Sequence, residues 1–175
     1  RRRTAFVDEV VKALKERNVP VAGVDRMQIT DQLAVMDLVA FGRFLLMPED
    51  DLTLAEVLKS PLIGFDDDQL FEIAHNRPRT LWHALREKAA TVDDGSIFAR
   101  AYGFLFKWLG RVDYERPFEL YGELLGGRGE DARGVRARLV GRLGVEANDP
   151  IDEFLNLAMG YEADHAPTLQ GFLHW

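Results

Sequence analysis

From Thr30 to Trp175 apolar residues recur every three or four positions almost without a break, and this periodicity constrains the fold more than any other feature of the chain. Thr30 or Asp31 is placed to cap a helix running to about Met47, where Pro48 stops it. That segment is apolar nearly all round, so it should be the central and most buried helix. A short helix, Leu52–Leu58, should end before Pro61, because the residue preceding a proline is pushed out of the α region. Asp66 can cap Asp67–His75, Thr80 can cap Leu81–Ala90, and Asp94 precedes a long helix, Ser96–Leu109. Further helices are expected at Pro117–Leu125, Asp131–Leu143, Pro150–Glu162 and Thr168–Trp175, since proline is well tolerated in a first turn. Only the N-terminus departs from this pattern. Thr4–Arg17 reads as a helix capped by Thr4, and Val19-Pro-Val-Ala-Gly-Val24 reads as a short extended segment. The expected fold class is therefore mainly α, a multi-helix body with a short N-terminal α/β scrap too small to bury a sheet alone. Gly126-Gly-Arg-Gly-Glu130 reads as a mobile connector.

Several function classes drop out on composition. The chain has 175 residues, enough for one good core, and no cysteine, which excludes a disulfide framework, a thiolate metal site and a thiol nucleophile. No apolar run approaches the ~20 residues that span a bilayer; the longest candidate, Leu33–Met47, is interrupted by Asp37 and Arg43. The segment after Arg1-Arg2-Arg3 carries Asp8, Glu9 and Lys12, unlike a signal peptide. A cytoplasmic setting without membrane contact fits these features. The first residue is Arg1 rather than Met, and the expectation is an excised fragment whose true start lies upstream. The net charge of −7 argues against a whole-surface attraction to nucleic acid, so any such contact needs a local patch.

Catalytic motifs are missing. No G-x-x-x-x-G-K-[ST] phosphate loop and no G-x-S-x-G nucleophile turn occurs. His75, His83, His165 and His174 lack metal-ligand spacing, and Asp66-Asp67-Asp68 suits the positive end of a helix dipole better than a calcium loop. No catalytic residue, metal site or cofactor is expected within this stretch. The basic patch lies between Arg128 and Arg142, where Arg128, Arg133, Arg136, Arg138 and Arg142 face only Glu130 and Asp131. On a helix over Asp131–Leu143, Val135, Leu139 and Leu143 form the apolar stripe. Arg136 flanks one edge, Arg138 and Arg142 flank the other, and Arg133 points more outward. Such a helix can contact nucleic acid, or it can be a solvated amphipathic helix whose arginine stems cover the core edge. Phe98, Tyr102, Phe106 and Trp108-Leu109 fit a core stripe better than a base-stacking platform.

Spacing within Asp37–Leu70 is more specific. Asp37 and Arg43 stand six residues apart; Asp50-Asp51 lead to Ser60-Pro61, ten residues from Asp51 to Pro61; Gly64 and Leu70 follow. This resembles the start of subdomain 2B in UvrD-like superfamily 1 DNA helicases. Arg2-Arg3-Thr4-Ala5-Phe6, followed by Val19-Pro20-Val21 and Gly23, is similar to a segment of that family's second RecA-like domain. Ala22-Gly-Val-Asp-Arg26, Asp31-Gln-Leu-Ala-Val35 and Lys59-Ser-Pro-Leu-Ile-Gly64 look closer to the AddA/RecB branch. The resemblance implies that 1–27 is a tail piece of the second RecA-like domain, and that 28–175 is subdomain 2B, returning to the RecA-like domain near its end. It implies a parent that is an ATP-dependent 3′–5′ DNA helicase and nuclease of double-strand-break repair, using ATP and Mg. The partners it implies are a duplex/single-strand junction and an AddB-like subunit. The contacts it implies for DNA are Arg2, Thr4, Lys59, Ser60 and Gly64, to which the basic helix adds Arg133, Arg136, Arg138 and Arg142. Two departures stand out. Thr4 replaces the usual Asn. Gly64-Phe65-Asp66 replaces a glycine-isoleucine-glycine turn that brings N–H groups to duplex phosphates, and Asp66 adds repulsion there. The competing expectation is a freestanding helical protein-interaction or regulatory domain with no DNA role.

Overall fold

The computed structural model describes residues 29–127 and 134–175. The N-terminal unit 1–27, and with it Arg2 and Thr4, lies outside the described residues, as do Arg128 and Arg133. Among the described residues there are nine α-helices, one 3₁₀ turn and no strand, a mainly α fold. The helices are α1 (Leu33–Leu46), α2 (Asp51–Lys59), α3 (Asp67–Ala74), α4 (Leu81–Ala89), α5 (Ile97–Leu109), α6 (Pro117–Gly126), α7 (Gly134–Leu143), α8 (Asn148–Asp164) and α9 (Leu169–His174).

Most starts are set by side-chain oxygens that accept the orphan N–H groups of a first turn. Asp50 accepts from Leu52 N at 3.1 Å and takes the Thr53 hydroxyl at 2.6 Å. Asp66 and Gln69 form a reciprocal capping box at α3, with bonds of 2.7 and 3.0 Å. Thr80, Ser96 and Thr168 cap α4, α5 and α9. Two starts differ from the expected ones. Neither Thr30 nor Asp31 caps α1: Gln32 does, with extended backbone and no side-chain bond, its carbonyl accepting from Val35 N and Met36 N at 2.9 Å each. At α8 a 3₁₀ turn, Val145–Ala147, runs straight into the helix, so Asn148 rather than Pro150 is the first residue. Pro150 still falls in the first turn, where its missing N–H is not needed.

α1 packs against α2, α7, α8 and α9 and buries Leu38, Phe41, Phe44 and Leu45, so it is central as expected. It is not covered all round, because Leu33, Met36 and Leu46 stay exposed. It also meets α6 through one side chain. Tyr121 is fully buried, donates its hydroxyl to the Leu38 carbonyl at 3.1 Å, and lies edge-on to Phe154 with centroids 4.7 Å apart. Gly42 makes room for that ring: a Cβ there would overlap the Tyr121 hydroxyl and come within 2.9 Å of Leu173.

The expected stripe on α5 divides. Phe98 and Trp108 are buried, Tyr102 is half-buried, and Phe106 is 60% exposed. Steps of four residues drift about 40° round a helix, and on α5 the drift carries Phe106 away from the side on which Phe98, Ala101, Leu105 and Trp108 are buried. Among the described residues no helix is long and apolar enough to cross a membrane.

Candidate functional site

The residues expected to touch DNA fall into two groups that the fold treats differently. The first is the connection from α2 to α3. Lys59, the last residue of α2, donates its ammonium to Asp67 in the first turn of α3, and that ion pair holds the Asp67 carboxyl below its usual range. Ser60 is buried; its hydroxyl donates to Val57 O at 2.7 Å and accepts from Leu62 N at 3.2 Å. Gly64 has φ +88°, a conformation that only glycine adopts without strain. The next residue, Phe65, turns inward and packs edge-on against Phe98 at 5.4 Å. Every N–H of the Gly64-Phe65-Asp66 turn has an acceptor inside the chain: Ser60 O at 2.8 Å, Leu58 O at 2.8 Å and Gln69 Oε1 at 3.0 Å.

The second group is α7. Val135 and Leu139 are buried, and the two edges of the stripe carry the arginines as their spacing requires. Arg136 is committed to α8, donating to Asp152 at 2.6 Å and to Asn148 at 3.3 Å. On the other edge the Arg138 guanidinium lies over the Phe104 ring at 5.5 Å, and Arg142 is exposed. Arg142 acts on Asp37 of α1. Burial pushes the Asp37 carboxyl up to about 6; Arg142 opposes the shift and Glu56 adds to it.

Asp50-Asp51, the acidic landmark of the sequence, is a joint. Asp50 caps α2, while Asp51 reaches forward to accept Leu81 N at 2.6 Å and to pair with Arg77. Burial alone would raise the Asp51 carboxyl, but the Leu81 N–H and the Arg77 guanidinium outweigh it and hold it below the ordinary value. One carboxylate thus fixes the entry to α4 against the start of α2.

Arg138 opens onto a groove of about 910 Å³ between α5 and α7. Its lining includes Ile63 from the α2–α3 connection, Ile97 and Phe104 from α5, and Val135 from α7, with Arg100 and Lys107 along the α5 wall. Sequence reasoning passed over Arg100 and Lys107. The available signal was their seven-residue separation, which sets both on one helix face with Phe104 between them. Arg138, Leu62 and Ile63 are therefore brought together; Lys59 and Arg136 are paired elsewhere, and Ser60 is inside. Among the described residues no group of three or more His, Asp or Glu side chains is placed to hold a metal ion.

Comparison with protein-family models finds no match, and comparison with curated proteins finds none either.

Proposed function

We propose that the chain is an accessory helical region, subdomain 2B in kind, of an ATP-driven 3′–5′ DNA helicase of the AddA type acting in double-strand-break repair, and that its contribution is to dock neighbouring protein. The motor that would use ATP and Mg, and the nuclease, belong to the parent. Support for the helicase reading is the spacing Asp37–Arg43 and Asp51–Pro61 within a body of short helices, with Asp51 acting as the joint between two of them.

The observation that carries docking over duplex binding is the Gly64-Phe65-Asp66 turn. A turn that holds phosphates must aim free N–H groups outward. All three here are bonded within the chain, and the exposed Asp66 and Asp67 carboxylates lie beside them. The basic surface near it is small, the Arg138–Arg142 edge of α7 with Arg100 and Lys107 on α5, on a chain of net charge −7.

Two experiments test this. The coding sequence upstream of Arg1 should contain a G-x-x-x-x-G-K-[ST] motif within a few hundred codons; an upstream frame without one overturns the helicase reading in favour of a freestanding interaction domain. Labelled forked DNA titrated with the chain at low ionic strength should show little binding. Tight binding that falls steeply with salt and is lost in an Arg138→Ala, Arg142→Ala variant would replace docking with duplex contact.

A further inference from the structure

We infer that the groove between α5 and α7 receives an acidic amphipathic helix from a protein partner, with apolar side chains on its floor and carboxylates paired to Arg100 and Lys107. The inference deepens the docking role proposed above. It rests on that reading for the partner's place in a larger machine, but not for the chemistry of the groove.

Charge is the first argument. The chain is acidic overall, yet the α5 wall carries Arg100 and Lys107, and Arg138 stands on the opposite wall. Neither Arg100 nor Lys107 forms an ion pair among the described residues. Glu123, an acid of the same lining, is held by Arg111 through two bonds, one of 2.8 Å. Asp94 at the rim is the other acid in the lining. The groove thus presents Arg100 and Lys107 to an occupant, while one of its two acids, Glu123, is already paired.

Spacing is the second argument. Arg100 and Lys107 are separated by seven residues, about 10 Å of helical rise. Carboxylates at i and i+7 of a helix laid along α5 have the same separation, and the positions between them, at i+3 and i+4, would face the apolar lining of the groove.

The floor decides between protein and nucleic acid. Single strands are held by stacking bases on uncovered aromatic faces. Here the Phe104 ring already carries the Arg138 guanidinium at 5.5 Å, and Trp108 is buried beneath the Arg111 guanidinium at 4.7 Å. The apolar surface left over is largely aliphatic, from Ile63 and Ile97, which suits Leu or Ile side chains rather than bases.

The test uses the full 175-residue chain and fluorescence polarisation at low salt. The probe is a labelled 18-residue helical peptide of our design, with Leu along one stripe and Glu at i and i+7 beside it. The same peptide with Lys for Glu, and an 18-nucleotide oligo-dT, are the comparators. The Glu peptide is expected to bind at least tenfold more tightly than either. Arg100→Glu with Lys107→Glu should weaken it at least tenfold and restore binding of the Lys peptide. Gly103 lies on the groove face of α5 between these cations, and a Cβ there would meet nothing within 4 Å among the described residues. Gly103→Ala should therefore leave the circular dichroism melt unchanged or raised while weakening the Glu peptide several-fold, a readout that survives if the double charge reversal fails to fold.

Equal binding of the two peptides, or no loss in either variant, overturns the inference. Tighter binding of oligo-dT, with the peptide displaced, replaces it with a nucleic-acid surface. An upstream frame without a phosphate loop would remove the helicase reading and leave the peptide result standing; an unchanged Gly103→Ala titration alongside an intact upstream motor would do the reverse.

Discussion

Gly42 on α1 and Gly103 on α5 are the same residue in the same kind of position, the middle of a long helix, and they sit in opposite surroundings. At Gly42 the Tyr121 ring fills the space a methyl group would need, and the ring's hydroxyl is held by the Leu38 carbonyl. At Gly103 the space beyond the backbone is open, and the charged residues on either side, Arg100 and Lys107, have no ion-pair partner among the described residues. The seam between α1 and α6 is filled by the chain's own side chains; the groove between α5 and α7 is left open by the described residues. Where a protein has finished its own interior, each polar atom and each gap is accounted for. Arg100 and Lys107, without an ion-pair partner among the described residues and set beside an apolar floor, form a surface that another molecule can complement.

The comparison is sharpest if a methyl group is added on each side. Gly42→Ala forces Tyr121 and Leu173 apart inside a packed seam, an overpacking of about 2–3 kcal/mol. Urea unfolding followed by circular dichroism should show the midpoint fall with an unchanged slope. An unaffected midpoint would mean that the seam is looser than the geometry shows. The joint at Asp51 comes next. Asp51→Ala strands the Leu81 N–H and the half-buried Arg77 guanidinium, a loss of about 2 kcal/mol for hydrogen bonds to a charged group at a partly exposed site. Because the Asp51 carboxyl is held below its ordinary value in the folded chain, its contribution is present at neutral pH and disappears as acid titrates it below that value. Wild type and variant should therefore converge in stability toward pH 2.

That joint also marks how far the sequence could be read. Caps are local codes, so Asp66 and Thr80 announced their helices correctly, and the two edges of α7 followed from angular spacing alone; Ser96 and Thr168, read as first helical residues, are caps as well. The start at Gln32 had no side-chain signal, and the 3₁₀ turn before α8 replaced a proline rule with a backbone continuity. The role of Asp51 depends on partners 26 and 30 residues ahead, which no spacing argument reaches. The groove is harder still, since Ile63, Arg100 and Arg138 meet only after α2, α5 and α7 have docked. Arg136 and Arg138 looked equivalent as basic residues; what separates them is that Asp152 lies across from one and Phe104 across from the other.

Asp37 offers a smaller effect of the opposite sign. Its carboxyl is raised to about 6, so the folded state holds a proton more tightly than the unfolded chain between about pH 4 and pH 6. Over that interval rising pH erodes stability, and above it the burial cost of the ionised form is fully present. Asp37→Asn removes that cost. Discounted for the exposed part of the side chain, the gain is about 1 kcal/mol at pH 7.5 and falls to nothing by pH 4. Thermal melts of both proteins across this range measure it. A variant less stable than the parent at pH 7.5 would show that the attraction of Arg142 outweighs burial.

The smallest effect closes the comparison with its other glycine. In a helix interior alanine is favoured over glycine by about 0.5–1 kcal/mol, because the glycine backbone loses more freedom on folding. At Gly42 that gain is swamped by collision; at Gly103 nothing among the described residues opposes it. Gly103→Ala should raise the urea midpoint by an amount corresponding to most of that propensity difference, making it the one substitution here that strengthens the fold while narrowing the groove. A fall in stability would show that the α5–α7 face is closed by the chain itself, and the distinction between a finished seam and an unfinished groove would then collapse from the groove's side.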